Sequence, residues 1–197
     1  MFARFAVTVT DHDPGNVSHM EAVFGGSPED LGMPANVGGV SPFSGSCGVI
    51  ERSIVFAFTD VLSPNPQRIC EVMAQEIAHS YGLDHELLAS DPMTYLSYSG
   101  SRTFKDQLVA CGETQARPCG LASAPCRAMQ NSVALLKERA GTADAIAPTV
   151  AITSPVDLAT VAAGFSVHAT AADNLGVTSA TLELDGRPTA TATGPGP

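Results

Sequence analysis

Gln75-Glu76-Ile77-Ala78-His79-Ser80-Tyr81-Gly82-Leu83-Asp84-His85 is the stretch on which the reading of this chain turns. His79 stands four residues after Gln75, so on a helix the two side chains lie on one face, one turn apart. Glu76 is one step round the same helix, within reach of anything held by that face. Gly82 ends the helix, because glycine accepts the left-handed turn that a helix end needs. The reversed chain can then return His85 to the same point in space. Three side chains around an open fourth position are how a catalytic zinc is held.

The stretch resembles the metzincin zinc-peptidase signature, His-Glu-x-x-His-x-x-Gly-x-x-His followed by a Met-turn. Asp91-Pro92-Met93-Thr94-Tyr95 stands at a fitting distance for the Met-turn. The one departure is Gln75, where the family has His. The resemblance extends less firmly from about Phe5 to about Ala140, and is strongest to secreted bacterial metzincins with Ig-like modules after the peptidase domain. It implies an α/β (α+β) catalytic domain with a mixed sheet and an active-site helix. It also implies Zn2+ held by Gln75, His79 and His85, with Glu76 as general base. Tyr95 matches a position that contacts zinc or stabilises the tetrahedral intermediate, and Met93 an apolar floor beneath the metal. The function so implied is a secreted zinc-dependent metalloendopeptidase acting on a protein or peptide substrate.

Gln75 opens an alternative. An amide oxygen is a poorer zinc donor than a neutral imidazole, although Gln is nearly as long as His. The site could work with a weak third ligand, recruit water in its place, or be dead. The alternative function is therefore a catalytically impaired metzincin-like pseudoenzyme serving as an extracellular binding or adhesion module.

Composition bounds these readings. The chain has 197 residues, 44% of them hydrophobic, enough for a core. Its net charge of −10, from 10 Lys+Arg against 20 Asp+Glu, argues against nucleic acid as partner, since phosphate binding needs clustered cations. No stretch is long enough to span a membrane. The five cysteines, Cys47, Cys70, Cys111, Cys119 and Cys126, include no Cys-x-x-Cys pair and read as disulfides of an oxidising compartment. Cys111 to Cys126 reads as a cluster closing a loop locally, and Cys47 with Cys70 would staple a strand to the start of the helix. An odd count leaves one thiol over, and connectivity stays open. An extracellular or cell-surface setting fits, with any signal peptide lying upstream of Met1.

In chain order, Phe5–Thr10 alternates like a strand and Asn16–Phe24 reads as a short helix. His12 between two aspartates reads as a polar turn before a metal site. Val37–Val40 is either an edge strand able to pair with a bound peptide or a surface loop. Ser53–Thr59 reads as a strand buried on both faces. Asn65-Pro66 opens the key helix as N-cap and first residue. Ile69, Val72, Met73, Ile77 and Tyr81 repeat at helical spacing and would face the core. Ala128–Ala140 reads as an amphipathic helix stopped by Gly141. The domain expectation is a metzincin-like domain over 1–141, shortened at its N-terminus, then a linker over 142–148. An incomplete Ig-like β-sandwich follows over 149–197, its strands at 149–153, 164–170 and 177–184. About 50 residues stand there where such a domain needs about 100. No acidic loop of calcium-binding spacing is present.

Overall fold

The computed structural model describes residues 1–62 and 64–194. The chain divides into two compact units, the first Met1–Ala143, the second beginning at Asp144. Among the described residues no helix is long and apolar enough to cross a membrane.

The first unit mixes small sheets with two helices. Its main sheet has three strands: β1 (Glu21–Phe24), β2 (Gly39–Val40) and β3 (Ile54–Ala57), in the order β1-β3-β2. β1 runs parallel to β3 and β2 antiparallel to it, so the sheet is mixed and β2 is an edge strand, the first of the two readings of that segment. The expected helix over Asn16–Phe24 is absent. Glu21–Phe24 is strand because Val23 and Phe24 add to a sheet, while Gly25 and Gly26, both at positive φ, end it. Phe5–Thr10 is likewise not a strand: Phe5 alone bridges to Thr142, and its ring is buried against Phe104. β3 is buried on one face only. Val55 and Ala57 are fully covered, whereas Ile54 is about half exposed, which corrects the two-faced reading.

Helix α1 (Pro66–Ser80) follows. Asn65 caps it, its side-chain oxygen accepting from the amides of Gln67 and Arg68. One flank, Val72 and Met73 with Ile69 and Ile77, covers Val55 and Ala57 of the sheet. The other, Ala74 and Ala78 with Tyr81, joins Leu83, Met93, Phe104, Val133 and Leu136. Between these two apolar flanks runs the polar row Gln75, Glu76 and His79. Helix α2 (Ser132–Ala140) starts later than expected. Asn131 caps it, and Met129–Gln130 (β7) pairs instead with Val109–Ala110 (β4). A small hairpin of β5 (Cys119–Leu121) and β6 (Ala124–Arg127) lies between.

The disulfides are Cys47–Cys126 and Cys111–Cys119, and Cys70 is an exposed free thiol. The expected Cys47–Cys70 staple is thus corrected, since Cys70 projects from the outer side of α1. Cys47 instead reaches across 79 residues to the β5–β6 hairpin, close to the C-terminal end of α1. The Cys111–Cys119 bond does close a local loop.

In the second unit β8 (Thr149–Ser154) pairs antiparallel with β9 (His168–Ala172), and β10 (Ser179–Leu184) with β11 (Arg187–Thr193). β9 starts later than expected, and β11 continues beyond the turn at Asp185-Gly186. Both turn residues have positive φ, the geometry of a two-residue hairpin. His168 is exposed at the start of β9. Among the described residues the two pairs form separate sheets, and residues 195–197, the end of the expected tail, lie outside them.

The loop after α1 is held by charge more than by strands. Glu71 is buried in α1 and accepts from the Arg102 amide at 2.8 Å, from Arg102 Nη1 at 3.1 Å and from Gln67 Nε2 at 2.8 Å. The same guanidinium donates to the carbonyls of Ala89 and Leu96. Burial alone would raise the Glu71 carboxyl, but these bonds outweigh it and hold the group below its ordinary value. A carboxyl lowered in the folded state adds stability above its unfolded pKa and loses it as pH falls through the folded one. Glu71→Gln should therefore cost about 1.5–3 kcal/mol at pH 7, the size of a charge-assisted hydrogen bond. In urea unfolding the gap to the parent should close as pH is lowered below the ordinary carboxylate range. A gap constant with pH would mean that Glu71 acts by shape alone.

Candidate functional site

The reversal at the end of α1 builds the site. Gly82 adopts φ +77°, and a Cβ there would collide with the Cys47 carbonyl, so the position needs glycine twice over. The carbonyls just beyond α1 find cationic donors. Arg127 Nη2 donates to Gly82 O at 2.6 Å, and Arg139 Nη1 donates to Tyr81 O. Leu83 then enters the core, and its carbonyl turns back to His79 Nδ1 at 2.7 Å.

This brings His79 and His85 together, with their Nε2 atoms 3.1 Å apart and their rings nearly perpendicular at 87°. His85 Nδ1 faces Glu113 Oε1 at 3.4 Å. The Leu83 carbonyl only accepts, so His79 Nδ1 carries the proton and its Nε2 a bare lone pair. A proton on His85 Nδ1, facing Glu113, leaves the second Nε2 bare as well. Burial, and then His85 beside it, lowers His79 to about 4, and burial lowers His85 too, so both rings resist taking a second proton. Two lone pairs facing at 3.1 Å repel unless a cation lies between them. Two nitrogens on one tetrahedral zinc, at bonds of about 2.0–2.1 Å, stand about 3.3 Å apart.

Gln75 is buried on the same helical row, and its Nε2 has no hydrogen-bond partner among the described residues. Glu76 is buried and pushed up to about 7 by its loss of water; the Ser41 hydroxyl, near it but outside hydrogen-bonding geometry, opposes that rise only in part. Tyr95 is largely exposed with its ring centroid 4.2 Å from that of His85, and Phe43 meets His79 edge-on at 5.9 Å. Met93 is fully buried in the core below, and its carbonyl accepts from the Glu86 amide at 2.6 Å. Of the residues singled out in the sequence, His79, His85 and Tyr95 thus meet ring to ring. Gln75 and Glu76 share their helix row, and Met93 is buried in the core cluster that includes Ala74 and Ala78 of the same helix.

Other parts of the site were missed in the sequence. Asp84 accepts from both Arg117 Nη atoms, from the His85 amide at 2.7 Å and from the Gly120 amide at 2.7 Å. Burial alone would raise its carboxyl, but Arg117 and these amides hold it below the ordinary value. Asp91 accepts from the amides of Met93 and Lys105 and so shapes the turn above the core. Glu86 is fully buried beside it, bonded to Gln130 and Ser132; burial and then the Asp91 charge raise its pKa. The opposite charges of Glu113 and Arg117, four apart between two cysteines, were the available signal. Asp84, His85 and Glu113 could by spacing hold a cation, but Arg117 already places its positive charge on both carboxylates.

Comparison with known proteins finds similarity in the second unit alone: the family described as bacterial Ig domain matches residues 148–197. No metzincin or other peptidase family matches the chain. No curated protein and no solved structure matches it either.

The edge strand approaches the site through Gly39. A Cβ there would stand 2.7 Å from Val72 Cγ1 and 2.8 Å from Glu76 Oε1, so the strand rests directly on α1 only because Gly39 has no side chain. Gly39→Ala should cost about 1–3 kcal/mol by overpacking. It should also shift the Glu76 carboxyl titration, followed by NMR, because Glu76 must move. Unchanged stability and titration would mean that β2 gives way instead.

Proposed function

We propose that the first unit is a metzincin-like domain whose Gln75, His79 and His85 hold a zinc ion for peptide hydrolysis. The observation that carries this reading is the approach of the two Nε2 atoms to 3.1 Å, with an acceptor oxygen facing each Nδ1. The unpartnered buried amide of Gln75, on the same row of α1, fits a third and weaker donor.

The chemistry zinc supplies when bound is polarisation of a carbonyl and a water that ionises near neutral pH. Glu76 takes a proton from the attacking water and delivers it to the leaving amine. Burial raises this carboxyl to about 7 without a metal, and the charge of a bound cation would draw it back towards the ionised form that a base needs. Tyr95, largely exposed with its ring against His85, would donate a hydrogen bond to the oxyanion of a peptide substrate. β2 offers an edge to which an extended peptide can add as a further strand. Two disulfides and the Ig-domain match are compatible with an extracellular setting.

Gln75 and the Ig-like unit together favour a second reading, an extracellular binding module built on an impaired peptidase domain. Metal analysis and a casein digestion assay separate the two. Glu76→Gln should abolish hydrolysis while metal content stays unchanged, because Glu76 is the base and no ligand. Unchanged turnover removes that assignment. Gln75→His should raise zinc affinity, with a larger gain near pH 7 than near pH 5, where protons compete for imidazole. Affinity equal to the parent's would show that the three side chains do not converge. Tight zinc without peptide cleavage would favour the binding module.

A further inference from the structure

We propose that Glu113 is a positioning residue for His85, accepting from its Nδ1 so that Nε2 stays bare and aimed at His79. The inference rests on the metal-site reading above and deepens it.

Three grips converge on His85. Asp84 Oδ1 accepts from its backbone amide at 2.7 Å, its carbonyl accepts from the Gly112 amide at 3.0 Å, and Glu113 stands behind the ring at 3.4 Å. The first and third are joined by one guanidinium: Arg117 Nη2 lies 3.0 Å from Asp84 Oδ1 and 2.7 Å from Glu113 Oε1. The backbone that carries Glu113 is tied down, although its side chain is about half exposed. It sits in the loop closed by Cys111–Cys119, and Cys111 bridges to both Glu86 and Arg117. The disulfide closes the loop on itself, and the backbone bridge from Cys111 to Glu86 and the charges of Glu113 and Arg117 fasten it to the segment carrying His85.

An imidazole without such a partner can turn about its side-chain torsions or carry its proton on the other nitrogen, and either change spoils it as a ligand. The demand is sharper here than in a site of three imidazoles. With Gln75 supplying a weak amide, binding depends on both remaining rings being correctly presented. His79 is served by a backbone carbonyl, which no side-chain substitution removes. His85 is served by a side chain alone. Arg117 meanwhile keeps Glu113 an orienter: its charge lies where a cation between Asp84 and Glu113 would have to sit.

The test uses the full chain loaded with Co2+, read by its visible spectrum and by proton NMR in water. The parent should show two paramagnetically shifted, slowly exchanging imidazole N–H resonances, one from each ring. Glu113→Ala should weaken Co2+ binding about 10–100-fold, the usual effect of removing an outer partner of a ligand. It should also lose one N–H resonance to solvent exchange and leave that of His79. Glu113→Gln should recover most of the affinity and the second resonance, because an amide oxygen still accepts; circular dichroism checks the fold of each. A single slowly exchanging resonance in the parent overturns the proposal without any variant. So does Glu113→Ala with parental affinity and both resonances. A parent that binds no Co2+ overturns the metal-site reading together with this one, whereas a parent that binds it and ignores Glu113 overturns this one alone.

Discussion

The reversal of the chain after Ser80 is the constraint on which the site depends. A helix fixes where Gln75, Glu76 and His79 point, but it cannot bring a residue six positions beyond His79 back to that row. The turn must be tight, and its polar backbone must be satisfied where the surroundings are dry. Gly82 supplies the dihedral, Cys47 leaves no room for anything larger, and two arginines take the free carbonyls. The same turn delivers Leu83 to the core, and its carbonyl fixes the ring of His79. One feature of the backbone therefore orients one imidazole and delivers the other. The Cys47–Cys126 bond holds the wall of this turn in place from a distant part of the chain.

Beyond the turn the first unit has little regular structure from which to hang a precise arrangement. β2, β4 and β7 have two residues each. Buried carboxylates take over the role that ladders play elsewhere. Glu71, Asp84 and Asp91 each accept from at least two backbone or guanidinium donors, and each fixes a loop by its amides. Burying a carboxylate is costly unless such donors repay its lost water, so these segments cannot drift without exposing an uncompensated charge. A chain with only 15% charged residues thus places several of them inside, where their effect is largest.

The sequence was most legible where chemistry and backbone geometry coincide. Asn65-Pro66, the apolar spacing of α1 and Gly82 all read correctly, since each follows from a local rule that the rest of the fold did not override. The meeting of His79 with His85 followed from the same rules. The errors lie where tertiary pairing decides. Glu21–Phe24 reads as helix in isolation and becomes strand because Ile54–Ala57 lies beside it. Phe5 alternates like a strand residue but serves as a core plug. Cys47 and Cys70 are neighbours in count, yet Cys70 faces outward on α1. Glu113 and Arg117 could not be assigned to His85, because only the closed loop brings them there.

Gln75 is the residue on which sequence and structure bear jointly. Had the row on α1 drifted into a packing role, a side chain this buried would be apolar or fully hydrogen-bonded. Leaving a buried amide group unpaired costs about 1–3 kcal/mol. Yet Nε2 has no partner among the described residues, and a half-turn of the amide would exchange it with the oxygen and present an acceptor instead. The close approach of His79 and His85 Nε2 is a second cost when both nitrogens are bare, and the buried carboxyl of Glu76 a third. A chain selected for stability alone would remove all three with ordinary hydrophobic substitutions. A cation bound among them would relieve the first two at once, and its charge would favour the ionised form of the third. That common remedy is the physical reason for proposing Gln75 as a weak third donor of a metal site.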